Sequence, residues 1–194
     1  MPFVGLTGGL GAGKSTALAA LGRLGAAVLS SDAVVHELYE GDELRAAVIA
    51  RFGPEVAPAG VVDRAAVARR AFASEEDRAW LEGVVWPLVG ARVAGWLEQV
   101  RAQSPAPPAA VVEVPLLFEA GLQGLYDATI AVVSAEELRR ERAAARGHAV
   151  VDERAARQLS QQEKARQATF VVRNDGTVHD LERELSAVLG KLGE

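Results

Sequence analysis

The residues best suited to chemistry stand near the start, where Val4 to Thr16 reads VGLTGGLGAGKST. The spacing fits GxxxxGK[ST], with Gly8 and Gly13 as the fixed glycines, Lys14 as the lysine and Ser15 as the hydroxyl. A loop that wraps a polyphosphate turns several backbone N–H groups inward, which needs positive φ and no Cβ in the way. Gly8, Gly9, Gly11 and Gly13 supply both. Lys14 to Leu24 reads as a helix, so its N-terminus adds a partial positive charge and free amides at the same point. Lys14 reaches outer phosphates as a point charge, and the Ser15 hydroxyl suits Mg²⁺. The motif indicates a bound nucleoside triphosphate but not the fate of its γ-phosphate, because kinases, GTPases and motor ATPases share it.

Such a loop needs a strand before it, a helix after it and a sheet to hold both, and the chain supplies that order. Apolar runs at Val4 onward, Ala26–Leu29, Ala109–Val114, Ala128–Val133 and Ala168–Val172 read as buried strands. Helical patterns lie between them, which predicts an α/β protein with a parallel sheet. An α-helical insertion is predicted between about residues 33 and 105. It holds short helices at Asp42–Phe52 and Asp63–Phe72 around a turn-rich FGPEVAPAG, then a long pattern from Ser74 to about Gln103. Pro87 is expected to kink or split that long helix near Trp86. Trp80, Trp86 and Trp96 share the same stretch, and core packing is the expected role for them. Ser104–Pro108 (SPAPP) is the clearest linker, and a last amphipathic helix runs to about Leu192.

Two further groups are candidates for chemistry. Asp32 follows the second strand, at its carboxyl end, and the carboxyl ends of strands are where ligands bind in open α/β sheets. Position alone leaves it open as a catalytic carboxylate or as a helix cap beside Ser31. Arg139, Arg140, Arg142 and Arg146 cluster in the charged stretch Ser134–Gln167, with Arg142 and Arg146 on one helix face. Arginines there can neutralise a transferring phosphoryl group. Arg142 and Arg146 have fewer acids one turn away than Arg139 and Arg140, which favours the former two. His36, His148 and His179 have no ligand spacing.

Composition bounds the partners. At 194 residues, 49 % apolar and 24 % charged, the chain is expected to be soluble and globular, with one core and no independent second domain. A net charge of −5 argues against a nucleic-acid partner. The absence of cysteine excludes disulfides, a thiolate nucleophile and cysteine-bound zinc. Met1-Pro2 leads straight into the first strand and no apolar run reaches membrane-spanning length, so a cytoplasmic, membrane-free protein is expected.

Several separated pieces together resemble the dephospho-CoA kinase family. GLTGGLGAGKST is similar to its nucleotide loop, Asp32 matches the second acid of its Asp-x-Asp element, and Val114–Glu119 (VPLLFE) is similar to its most characteristic internal motif. Arg142, Arg146-Gly147, Gln158, Lys164 and Asn174 fall at spacings like those of its lid and final strand. Two positions depart. Ser30 stands where the family commonly has an acid, and Trp86 precedes Pro87 where it usually has His-Pro.

The resemblance implies a three-layer P-loop kinase fold with a parallel five-stranded sheet, a helical substrate-binding insertion and a helical lid. The core would take in about 1–32, 106–138 and 168–194, the insertion about 33–105 and the lid about 139–167. It implies ATP-dependent phosphorylation of the ribose 3′-hydroxyl of dephospho-CoA, giving coenzyme A and ADP, with Mg²⁺ at Ser15. Asp32 would accept or orient the hydroxyl proton, and Lys14 and Arg142 would stabilise the moving charge. Gly8, Gly9, Gly11, Ala12, Gly13, Lys14, Ser15, Thr16, Arg146 and Asn174 would hold the nucleotide. A different metabolite kinase and a regulatory nucleotide-binding switch are the alternatives that the residues themselves leave open, and no oligomeric state follows from them.

Overall fold

The structure is a computed structural model that describes residues 1–145 and 158–193. Its strands are β1 (Phe3–Gly8), β2 (Ala27–Ser30), β3 (Ala110–Glu113), β4 (Ala128–Val133) and β5 (Phe170–Arg173). Among the described residues they form a five-stranded sheet in the order β2-β3-β1-β4-β5, every pair parallel. The helices are α1 (Lys14–Arg23), α2 (Ser31–Glu40), α3 (Asp42–Phe52), α4 (Arg64–Ala71), α5 (Glu75–Arg101), α6 (Glu136–Ala145), α7 (Gln161–Gln167) and α8 (Val178–Leu192). The chain divides into two compact units, Met1–Ser30 with Gln99–Glu194, and Ser31–Glu98.

In the first unit β1 is central, with Leu6 opposite Glu113 of β3 and Ile130 of β4. The two-residue period of a strand sends Val4 and Leu6 to one face. There they pack with Val111, Ile130, Val132 and Val172 against Ala17, Ala20 and Leu21 of α1 and Leu181, Leu185 and Val188 of α8. Each large apolar side chain so buried contributes about 1.5–3 kcal/mol. Gly5 and Thr7 take the other face. At Gly5 an added Cβ would strike Leu117 Cδ1, so glycine lets that side chain close on the strand. The start of α8 is fixed by a reciprocal cap: Asp180 N donates to Thr177 Oγ1 and Thr177 N to Asp180 Oδ2.

The second unit has its own apolar cluster. Leu44, Val48 and Phe52 recur every four residues along α3 and meet Val56, Val67, Ala71 and Val85. Asp63 caps α4 by accepting from Ala65 N and Ala66 N, and Ser74 Oγ accepts from Asp77 N at the start of α5. Arg51 bridges Glu76 and Asp77 and lies 5.7 Å from the centroid of the Trp80 ring. That guanidinium, with the Ser74 hydroxyl, holds the Asp77 carboxyl below the usual carboxylate range.

Two expectations are corrected. Pro87 lies inside α5, which runs as one helix from Glu75 to Arg101, so of the kink or split expected near Trp86 the split does not occur. Proline removes a single amide from the ladder, the one that would bond the Gly83 carbonyl, and long helical runs on both sides carry the helix across. The tryptophans also divide. Trp80 packs edge-on against Phe52 at 5.4 Å, Trp96 is half-buried, and Trp86 is exposed.

Candidate active site

The glycine-rich loop leaves the carboxyl end of the central strand and enters α1. Gly11 and Gly13 have φ of 74° and 91°, in the left-handed region. An added Cβ would collide with the Arg139 carbonyl at Gly11 and with the Asn174 amide at Gly13, so both positions need glycine twice over. Gly13 is also the N-cap of α1 and provides no side chain to its amides, and the first turn holds no acid. A helix start that lacks a side-chain cap and a first-turn acid suits an external anion. Lys14 Nζ folds over the loop and donates to the carbonyls of Gly8 at 3.1 Å and Gly9 at 3.3 Å. Ser15 is exposed, Thr16 is half-buried and Ala12 is buried.

Side chains from distant segments brace this loop. Asn174, buried just past β5, donates from Nδ2 to Ala12 O at 2.9 Å. Its own carbonyl accepts from Arg142 Nη1 at 2.9 Å and from Ser134 Oγ at 3.0 Å. Arg142 therefore reaches the loop through Asn174. Arg139 lies directly on it: Nε donates to Leu10 O at 3.0 Å while Nη1 pairs with Glu136 Oε2 at 2.7 Å. Counting nearby acids ranks Arg139 below Arg142, yet the Glu136 partner aims Arg139 at the loop. Gly9, Leu10, Arg139, Arg140, Gln158 and Gln161 line a cleft of about 390 Å³. Arg146 lies outside the described residues.

Asp32 opens the second unit, in the first turn of α2 and two residues past the end of β2. The helix begins at Ser31, so Asp32 stands inside it and is exposed. Within the same unit His36, Tyr39, Arg45, Val61 and Arg64 line a cleft of about 320 Å³.

The structure adds Glu113, which the motif reading passes over. It is buried at the end of β3, the strand beside β1, in register with Leu6 and Ser30. P-loop proteins use an acid from another strand end together with the loop hydroxyl to hold Mg²⁺. The signal was present in AAVVEV, a single acid inside an otherwise apolar strand run. A hard cation held by one hydroxyl, one carboxylate, phosphate oxygens and water fits this donor set. Among the described residues no group of three or more His, Cys, Asp or Glu side chains could hold a metal by itself.

Comparison with known proteins agrees over nearly the whole chain. A family model for dephospho-CoA kinase (CoaE) matches residues 2–180. A dephospho-CoA kinase from Anaeromyxobacter dehalogenans is 40 % identical over 197 residues, covering 99 % of this chain and 92 % of the relative. One from Deinococcus radiodurans is 39 % identical over 192 residues, covering 97 % and 91 %. The crystal structure of TT1252 from Thermus thermophilus superposes with a TM-score of 0.82 at 37 % identity, covering 98 % of this chain and 97 % of the other. A shikimate kinase from Acinetobacter baumannii, at 16 % identity and a TM-score of 0.54, shares the fold; the alignment covers 98 % of this chain and 94 % of that one.

Proposed function

Because the chain belongs to the dephospho-CoA kinase family, we propose that it transfers the γ-phosphoryl group of ATP to the ribose 3′-hydroxyl of dephospho-CoA. The products are coenzyme A and ADP, and the step is the last in coenzyme A synthesis. The observation that carries the reading is the preformed phosphate cradle: left-handed Gly11 and Gly13, the uncapped start of α1, and Lys14 folded over the Gly8 and Gly9 carbonyls.

Gly8 to Thr16 grip the nucleotide phosphates through backbone amides, and Lys14 moves from the loop carbonyls to the outer phosphates. Ser15 and, from its strand-end position, Glu113 would hold Mg²⁺, which would supply charge neutralisation for the phosphates. Asp32 accepts or orients the proton of the attacking hydroxyl, which leaves that oxygen as it bonds to phosphorus and ADP departs. Arg139, already on the loop, shares the stabilising of charge with Arg142 and Arg146, and Asn174 holds the Ala12 end of the cradle. Residues about 33–105 read the acceptor, and about 139–167 close over the phosphates to keep water from taking the phosphoryl group. The setting is the cytoplasm, and no described helix is long and apolar enough to cross a membrane.

The test incubates the protein with ATP and Mg²⁺ and either dephospho-CoA, adenosine, uridine or no acceptor, and measures ADP. Release that depends on dephospho-CoA supports the reading. Release with another acceptor makes the protein a different metabolite kinase, and acceptor-independent release makes it a nucleotide hydrolase or switch.

A further inference from the structure

On the face of the sheet that carries Thr7 lies a buried ion pair that the transfer chemistry above does not use. Lys164, in α7, has no exposed side-chain surface; its Nζ donates to Pro115 O at 2.6 Å and lies 2.9 Å from Glu119 Oε1. Pro115 O accepts a second bond from Thr7 Oγ1 at 3.2 Å, and Thr7 is the residue before Gly8. Glu119 Oε1 also accepts from Leu159 N at 2.8 Å, just ahead of the Ser160–Glu163 cap that starts α7. Glu119 Oε2 is buried and makes no hydrogen bond within the described structure. The pair thus joins the end of β1, the stretch after β3 and the start of α7.

Stability alone does not call for charges at this place. Burial pushes the Lys164 ammonium below its ordinary pKa, and the Glu119 carboxylate opposes that only in part. A buried ion pair replaced by apolar residues of similar volume is often neutral or stabilising. The unpartnered Oε2 adds a desolvation cost of its own. Methionine and leucine would fill the same space. What they cannot do is hold the Pro115 carbonyl and the Leu159 amide at fixed points, one of them bonded to the residue that introduces the phosphate loop.

We propose that Lys164 and Glu119 are positioning residues for phosphoryl transfer, acting through Pro115 and Thr7 on the loop and through Leu159 on the start of α7. The proposal rests on the kinase reading above. The loop keeps its own amides without the pair, so it still binds ATP. In-line transfer is more demanding, since a misplacement of about 1 Å can cost on the order of 10²-fold in rate.

The test is the double variant Glu119→Leu/Lys164→Met, which removes both charges and leaves neither stranded. It should melt within about 5 °C of wild type, as expected when both partners of a buried pair are replaced together. Its ATP dissociation constant should stay within about 3-fold and its kcat with dephospho-CoA should fall by about 10-fold or more. A double variant with wild-type kcat overturns the proposal, as does one that fails to fold, which would make the pair a scaffold. A change confined to the KM for ATP overturns it too. Wild-type protein without acceptor-dependent turnover would instead refute the kinase reading, and this role with it, before any variant is made.

Discussion

The two units hold their polar groups in different ways. In the helical unit, Ser31–Glu98, the core is apolar and the ion pairs stand at the surface: Arg51 with Glu76 and Asp77, Arg70 with Glu55, Arg78 with Glu75. In the sheet unit, side chains from far along the chain converge on backbone groups in and beneath the loop. Asn174 bonds Ala12, Arg139 bonds Leu10 and Lys164 bonds Pro115. Exposed pairs are worth little because water and salt screen them, whereas a buried carbonyl that loses its donor costs its full desolvation. Polar groups tune the surface of one unit and set the geometry of the site in the other.

The largest effect is expected at the centre of the sheet unit. Lys14→Ala should lower kcat by about 10²–10³-fold, the scale for losing one charge-stabilising donor, with little change in melting because the side chain lies on the loop and not in the core. Steady-state ADP assays beside a thermal melt check this; near-normal kinetics and ATP affinity would remove the loop from the mechanism.

Asp32 asks whether the helical unit contributes chemistry as well as packing. Asp32→Asn keeps the size and loses the charge, so kcat with dephospho-CoA should fall about 10²-fold or more while ATP binding persists. Helix stability should change by no more than about 1 kcal/mol, since only a first-turn charge is lost. Ser30 stands where the family's neighbouring acid would be, so no second carboxylate is supplied there to compensate. Ordinary turnover in this variant would leave Asp32 as a helix-end residue.

A smaller effect, of about 1–3 kcal/mol, is expected from Asn174→Ala, which leaves the Ala12 carbonyl without its donor. It should appear both as a lower melting temperature and as a higher KM for ATP. A loss of stability with unchanged nucleotide kinetics would show that the brace serves the fold alone. At the other end of the scale, Arg51→Ala in the helical unit should shift the melting temperature only slightly, less at high salt than at low, and leave kcat unchanged, read by melts at low and high salt beside ADP assays.

This contrast also explains what could be read from the sequence. The loop was legible because its parts are adjacent and its chemistry needs a fixed order of glycine, lysine and hydroxyl. The strands were legible from short apolar runs, and α/β alternation gave the parallel sheet. Pro87 does not split α5, because the helix is long enough on both sides to absorb the missing bond. Trp86 misled because apolar type does not reveal which side of a helix faces solvent. Glu113 shows in the chain as the lone acid of AAVVEV, but the bond from Arg139 to Leu10 and the Lys164–Glu119 pair join residues that only the fold brings together, and no window along the chain contains them. Lys164 and VPLLFE stand in the sequence at family spacings, but the bonds from Lys164 to Glu119 and Pro115 belong to the fold.

On this mechanism the cradle passes phosphate to one acceptor hydroxyl and not to water. The most direct measurement is the ratio of coenzyme A formed to ADP released by the wild-type protein with ATP, Mg²⁺ and dephospho-CoA, with the new phosphate located by ³¹P NMR. The expected result is equal amounts of the two products, a new phosphomonoester at the ribose 3′ position, and almost no ADP when dephospho-CoA is left out. ADP released at the same rate without acceptor, or a phosphate at any other position, would contradict it.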